Sequence, residues 1–199
     1  MTEALAGGRR LILASTSPFR RELLARLALP FTAQAPETDE THQPGESAPA
    51  LVARLARAKA EAVAMREPNA LLIGSDQAAV LDNDILGKPG DHANALAQLR
   101  RASGRTVSFH TGLCLLDSAS GQYQVAIETF RVVFRTLSET QIEHYLRREQ
   151  PYGCAGSFKA EGLGIALFER LEGDDPTGLI GLPLIRLTRM LEAAGVAVL

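Results

Sequence analysis

The stretch LILASTSPFRRELL, residues 11–24, contains the pattern that decides the fold of this chain. Leu11–Ala14 is a short apolar run typical of a buried strand, and Ser17, followed by proline, is a typical helix start. In α/β proteins the turn between a strand and a helix often holds phosphate, because free N–H groups and the helix dipole favour an anion there. This turn lacks glycine, so the sequence predicts phosphate ligands of another kind: Ser15, Ser17 and the two-donor guanidinium of Arg20.

The rest of the chain mixes strands separated by helices with strands that follow one another directly. This order predicts an α/β fold with a mixed sheet, organised as one domain over residues 1–199 with a loose tail at residues 1–8. The predicted strands are Leu11–Ala14, Phe31–Ala35, Leu71–Leu81, Thr106–Leu116, Tyr123–Phe134 and Gly164–Leu171. The predicted helices run from Pro18 towards Pro30, from Ser47 to before Pro68, from Asp91 to Ala102, from Ser138 onwards, and from Leu182 to Ala194.

Composition excludes several classes of function. The formal net charge of -2, without a basic block, is not that of a nucleic-acid-binding protein, and no apolar run approaches the length of a membrane span. The pattern predicts a cytoplasmic protein. Cys114 and Cys154 form no disulfide framework or metal motif, and the four histidines lack the spacing of a zinc hydrolase.

A second cluster of chemistry follows the strand that begins at Leu71. Asp76, in GSDQ (residues 74–77), comes directly after the apolar run at residues 71–75 that is typical of a buried strand, where a carboxylate can bind Mg²⁺ or accept a proton from water. A turn aspartate that caps backbone N–H groups is the local alternative. In the same way, Ser17 can be only a helix cap, and Arg20 only a solvated charge.

Lysines and glutamates in loops and on one helix complete the candidates. Lys59 lies near the apolar face of a predicted helix, whereas Lys88 and Lys159 lie in glycine-rich turns where a lysine can hold phosphate. Glu40 and Glu161 lie in loops. Each of these five is, taken alone, more often a solvated surface charge than part of a site.

Several separated motifs together resemble the Maf family of nucleotide pyrophosphatases. The resemblance extends from Leu11 to about Met190, in the order of the family, and it implies an elongated twisted mixed sheet with helices, in two lobes that flank a central cleft. Besides the first stretch, the motifs are APETDE (35–40), LARAKAEA (55–62), GSDQ (74–77), GKP (87–89) and AGSFKAEGLG (155–164).

The resemblance implies an enzyme that hydrolyses a nucleoside triphosphate to the monophosphate and pyrophosphate with a divalent cation. It assigns Asp76 as the proton acceptor that activates water, and Glu40 and Asp76 as ligands of Mg²⁺ or Mn²⁺. The residues it carries over are Lys59, Lys88, Glu40 and Asp76 as catalytic residues, and Ser15, Ser17 and Arg20 as phosphate-binding residues.

Within the family, one subgroup acts on 7-methyl-GTP and another prefers dTTP and UTP. The positions that distinguish them hold Phe19, Gln77 and Glu161 here, which favours 7-methyl-GTP. An aromatic face attracts the positive charge of the methylated guanine, and a carboxylate accepts from N1–H and the 2-amino group. The subgroup usually has tryptophan where this chain has Phe19, and phenylalanine is a weaker cation–π platform.

Two other functions remain open at this point. One is a pyrophosphatase for dTTP and UTP or for many nucleotides, against which Phe19 and Glu161 argue. The other is a nucleotide-binding regulator of cell division without turnover, which would not need Asp76. The predicted partner is a small-molecule nucleotide, with no nucleic acid and no membrane. The apolar strands from Thr106 to Phe134 are either core or the interface of a homodimer.

Overall fold

A computed structural model describes residues 8–199, and its central feature is a mixed sheet with helices on both faces. The predicted tail over residues 1–8 falls, apart from Gly8, outside the described residues. The strands are β1 Arg10–Ala14, β2 Thr32–Gln34, β3 Ala70–Leu81, β4 Asp84–Leu86, β5 Thr106–Asp117, β6 Tyr123–Phe134 and β7 Phe168–Glu172. The α-helices are α1 Pro18–Ala25, α2 Ala48–Ala64, α3 His92–Ala102, α4 Glu139–Glu149, α5 Pro176–Ile180 and α6 Leu184–Ala193.

The sheet has the order β2-β1-β3-β5-β6-β7, and β4 pairs with β3. The first three strands in this order are parallel, and all other pairs are antiparallel. The mixed α/β sheet predicted from the sequence is therefore confirmed. Side chains of β3 alternate between its two faces: Leu71 and Ile73 pack with α1 and α6, whereas Leu72 packs with α2.

One edge of β3 has a gap in its strand pairing. β1 pairs with β3 as far as Ile73, and β4 begins to pair at Ala79. Within residues 8–199, the five residues between, 74–78, have no strand partner on this edge, although β5 pairs with them on the other. The GSDQ motif lies in this gap, so one edge of its backbone is not covered by a described strand.

The apolar core is divided at the same point. One buried cluster joins the ends of β3, β5 and β6 to α3 and α4, while two others join β1 and the opposite ends of β3 and β5 to α1, α2 and α6. Ile73 belongs to the latter group and Ala79 to the former. The long strands thus connect two core regions, which correspond to the two lobes that the resemblance implies.

Two predictions about elements were wrong in part, and one short helix was missed. Residues 163–167 form a 3₁₀ helix instead of the first half of a strand, since the chain turns back there and Gly164 packs on the Lys159 carbonyl, 2.3 Å from where a Cβ would lie. The strand begins only at Phe168. Helix α1 ends at Ala25, short of Pro30, and α5 was not predicted.

The strands between Thr106 and Phe134 were predicted to be either core or a homodimer interface, and the two strands differ in burial. β5 is mostly buried. In β6, Tyr123, Val125 and Ile127 are exposed on one face, and β7 pairs only with the far end of the strand from Arg131. The homodimer stays a prediction, and this part of β6 is the surface that it concerns. No helix within residues 8–199 is long and apolar enough to cross a membrane.

Candidate active site

The site is built on the close approach of α2 to the sheet. Gly74 on β3 and Gly112 on β5 lie under this helix: a Cβ at Gly74 would be 2.0 Å from the Ala56 carbonyl oxygen, and one at Gly112 would be 2.1 Å from that of Val52. Only glycine permits such contact between a strand and a helix backbone. As a result Lys59, one turn beyond Ala56, lies directly over β3.

Lys59 joins the two acidic residues that the sequence predicts. Its Nζ donates to Asp76 Oδ1 at 2.6 Å and contacts Glu40 Oε1 at 2.7 Å. The lysine side chain is buried, and a buried ammonium is stable only when it is paired. The structure therefore brings Glu40, Lys59 and Asp76 together, although they come from a loop, a helix and a strand.

Glu40 lies in the loop between β2 and α2, and its side chain is 60% exposed. The hydrogen bond from Lys59 lowers the pKa of Glu40, and the charges of Lys59, Lys88 and Arg20 lower it further against the effect of burial. Glu40 is therefore ionised at neutral pH. Lys88 and Arg20 are thus two further cations whose charges act on the Glu40 carboxylate.

An ion pair that the sequence did not reveal holds the Glu40 loop. Arg54 on α2 donates to both carboxylate oxygens of Glu46, at 2.6 and 2.7 Å, and to the Thr41 carbonyl oxygen at 3.0 Å. The hydrogen bonds from Arg54 lower the pKa of Glu46 to about 2. The pair is thus ionised across the physiological range and fixes the chain directly after Glu40.

The turn after β1 has the helix start that the sequence predicts. Ser17 caps α1, with its Oγ accepting from the Arg20 N–H at 3.4 Å, and Ser15 Oγ accepts from the Ser17 N–H at 3.1 Å. Each hydroxyl that accepts a hydrogen bond can still donate its own proton. The capping function of Ser17 is therefore compatible with binding an anion.

Arg20 is oriented by the end of α5. Its Nε donates to the Gly181 carbonyl oxygen at 2.9 Å, and the buried Ser75 hydroxyl donates to the same oxygen at 2.9 Å. Burial lowers the pKa of Arg20, and the charges of Asp76 and Glu40 oppose this effect. The guanidinium stays cationic, since an arginine pKa lies far above neutral pH.

The three residues predicted to select the base lie in different settings. Phe19 is half-buried in the first turn of α1, beside Arg20. Gln77 is bound to α5, since its Nε2 donates to the carbonyl oxygens of Gly178 at 2.8 Å and Leu179 at 3.1 Å. Glu161 is exposed, in the segment between two 3₁₀ helices, Ala155–Ser157 and Leu163–Leu167.

The charges of Lys88 and Glu161 both act on the thiol of Cys154. Burial raises the pKa of this thiol, the charge of Glu161 raises it further, and the charges of Lys159 and Lys88 lower it. Lys88 is exposed in the turn after β4. The charge of Lys88 also acts on Glu40, whose pKa it lowers.

Two carboxylates are available for a metal ion. Within residues 8–199 no group of three or more His, Cys, Asp or Glu side chains is arranged to hold one. Glu40 and Asp76 both contact the Lys59 ammonium, so they face a common point. Mg²⁺ commonly binds to one or two carboxylates and takes its other ligands from phosphate oxygens and water, and this donor set fits that pattern.

Comparison with known proteins gives concordant matches. Residues 10–194 match the family described as Maf-like protein. The chain is 61% identical over 189 residues to a 7-methyl-GTP pyrophosphatase of Nitrosococcus oceani, covering 95% of each chain. It is 59% identical to the protein of the same name from Alcanivorax borkumensis, over 94% of each chain, and 58% identical to that from Pseudomonas aeruginosa, over 94% of this chain and 98% of the relative. Among solved structures, the Ham1 protein of Staphylococcus aureus aligns over 64% of this chain and 73% of its own, with 16% identity and a TM-score of 0.45.

Proposed function

The chain belongs to the Maf family, and from that premise we propose that it hydrolyses 7-methyl-GTP to 7-methyl-GMP and pyrophosphate. Three relatives at 58–61% identity over nearly their whole length carry the name 7-methyl-GTP pyrophosphatase, which supports this substrate. The observation that carries the proposal is the contact of Lys59 with both Asp76 and Glu40 beside the gap in the pairing of β3.

In the proposed reaction Asp76 accepts a proton from the attacking water. Lys59 holds Asp76 Oδ1, which leaves Oδ2 to face the water. As the water oxygen bonds to the α-phosphorus, the bond from that phosphorus to the bridging oxygen breaks, and pyrophosphate leaves with the electron pair. A carboxylate fixed in this way can act as a general base at neutral pH.

Two cations would stabilise the charge on the triphosphate. Arg20 is fixed through the Gly181 carbonyl, and the charge of Lys88 acts on Glu40, which contacts Lys59. Ser15 and Ser17 offer hydroxyl donors at the start of α1. Donors that are oriented before the reaction stabilise developing charge without a reorganisation cost.

We propose that Glu40 and Asp76 hold a Mg²⁺ or Mn²⁺ ion together with the phosphates. When bound, such an ion supplies positive charge to the phosphate oxygens.

Selection of the methylated base would come from Phe19 and Glu161. The Phe19 ring attracts the positive charge of 7-methylguanine, and the Glu161 carboxylate accepts from its N1–H and 2-amino groups. Gln77 would act through α5, because its amide donates to that helix. A pyrimidine has no matching pair of donors, so dTTP and UTP are expected to be poor substrates.

The test is release of pyrophosphate from 7-methyl-GTP, GTP, dTTP, UTP and CTP, each with Mg²⁺ and with Mn²⁺. We expect 7-methyl-GTP to be hydrolysed fastest, and Asp76→Asn to lower kcat by about 10³-fold while nucleotide binding is kept, as expected for loss of a general base. Asp84→Asn is the matched control, because Asp84 is exposed on β4 and pairs with Arg101.

Other outcomes would contradict different parts of the proposal. A preference for dTTP or UTP would keep the catalytic assignments and overturn the account of base selection. If no nucleotide is hydrolysed but one is bound, the protein is instead a nucleotide-binding regulator, and the assignment of Asp76 as proton acceptor is wrong.

A further inference from the structure

Glu161 lies at the tip of a tight turn that is attached to α4 at both ends. The Lys159 N–H donates to the buried Tyr145 hydroxyl at 3.1 Å, and the Leu163 N–H donates to Glu149 Oε2 at 2.8 Å. Between them, Gly162 packs so closely on Glu149 that a Cβ there would be 2.8 Å from Oε2. This turn therefore depends on one carboxylate at the end of α4.

The same carboxylate also binds the lysine of the turn. Lys159 Nζ contacts Glu149 Oε1 at 3.1 Å and donates to the Glu149 carbonyl oxygen at 3.3 Å. Lys159 precedes Glu161 by only two residues, and its charge and that of Glu161 both act on Cys154. Without Glu149, the Lys159 ammonium would lose this partner and, from two residues away in the chain, could pair with Glu161 instead.

We propose that Glu149 is a positioning residue for recognition of the base: it fixes the Glu161 turn and keeps Lys159 from pairing with Glu161. This inference rests on the proposed function, in which Glu161 accepts from the guanine donors. The Glu161 carboxylate then stays free of an internal ion pair, and its charge is directed to the substrate.

The test compares four variants with the wild type on 7-methyl-GTP and UTP. Glu149→Gln keeps an oxygen for the Leu163 N–H but loses the charge that holds Lys159. We expect its KM for 7-methyl-GTP to rise about tenfold while kcat and the UTP kinetics change by less than about twofold, which is the pattern of lost substrate binding. Glu143→Gln, a like change on α4 at a residue paired with His92, is the control and is expected to match the wild type.

Lys159→Met distinguishes two causes of a higher KM in Glu149→Gln. One is pairing of Lys159 with Glu161, and the other is a loosened Glu161 turn. Added to Glu149→Gln, Lys159→Met removes the competing cation, and we expect the KM for 7-methyl-GTP to return to within about threefold of the wild-type value. Alone, it is expected to leave the selectivity for 7-methyl-GTP unchanged.

The outcomes separate this inference from the proposed function. Equal losses on both substrates in Glu149→Gln, or no recovery in the double variant, would overturn the positioning role. A wild-type enzyme that shows no preference for 7-methyl-GTP over UTP would overturn the proposed base selection itself, and the inference with it.

Discussion

Lys59 is a buried cation in contact with both carboxylates of the site. Its Nζ lies 2.6 Å from Asp76 and 2.7 Å from Glu40, so each acid already has a positive partner. A divalent cation that uses the same two carboxylates competes with this ammonium. If these carboxylates hold the proposed metal ion, the lysine sets how strongly they attract it before the substrate binds.

Replacing Lys59 by methionine is expected to separate metal binding from catalysis. The variant leaves two carboxylates with no ammonium between them, so Mn²⁺ alone should bind about tenfold more tightly, because like charges in proximity favour a cation. Turnover should fall by at least about 10²-fold, since a donor to the developing charge is lost. Titration calorimetry with Mn²⁺ and pyrophosphate release measure the two effects.

Arg57→Met is the control for this prediction, because Arg57 lies on the same helix but pairs with Glu61 and stacks on Tyr123. Unchanged Mn²⁺ affinity in Lys59→Met would contradict the role of Glu40 and Asp76 as metal ligands.

The charged residues of the site could be predicted from the sequence, but the residues that hold them in place could not. Glu40, Lys59 and Asp76 were predicted through their motifs, and the structure brings them into contact. Arg54 and Glu46 were not predicted, because an arginine on a helix and a glutamate in a loop carry no local sign that they pair. Their ion pair depends on how the loop returns to α2, which is tertiary information.

At the level of elements, the position of α2 depends on glycines within strands. Gly112 on β5 lies under Val52, and a glycine inside a strand is a recognised sign of close backbone approach. The approach lets Lys59 reach Asp76 across the sheet. Stability and catalysis therefore depend on the same helix–sheet distance.

Gly112→Ala is expected to damage both properties. The added Cβ would lie 2.1 Å from a backbone oxygen, so α2 must shift. Forced overpacking of this kind costs about 1–3 kcal/mol, which lowers Tm by roughly 2–12 °C in a chain of this size. The displaced Lys59 should lower kcat as well. Thermal unfolding and pyrophosphate release are the measurements.

Gly153→Ala provides the matched control, because a Cβ there would meet no atom within 4 Å. Equal stability of the two variants would mean that α2 tolerates the displacement, and the structural basis of the Lys59 contact would then be wrong.

Helix starts were predictable because their signals are local. Ser17, Ser47 and Ser138 each accept from the backbone of the first turn, as their spacing predicts. The 3₁₀ helix at Leu163–Leu167 was not predictable, since the apolar run there is equally typical of a strand. What decides it is the packing of Gly164 on the Lys159 carbonyl and the hydrogen bond of the Leu163 N–H to Glu149, which lies on α4.

For the whole molecule, the site lies where two core regions meet. Arg20 lies on α1, which packs in the core region of β1, and Glu161 lies in the turn attached to α4, which packs in the other core region. β3 and β5 contribute to both core regions. The order of strands and helices predicted the mixed sheet but not the gap at residues 74–78. That gap depends on where β1 stops pairing and β4 begins, which is a property of register rather than of residue type.

A ligand that contacts both sides of this boundary should stabilise the whole fold in a base-dependent manner. We expect Asp76→Asn, which binds without turnover, to gain about 2.7 kcal/mol at a 7-methyl-GTP concentration of 100 Kd. This corresponds to a rise in Tm of roughly 5–10 °C, and UTP at the same concentration should give a clearly smaller rise. Adding Glu161→Gln to Asp76→Asn should reduce the shift with 7-methyl-GTP and leave that with UTP unchanged. Equal shifts with the two nucleotides would show that the triphosphate alone carries binding, and that the Glu161 side of the gap takes no part in choosing the base.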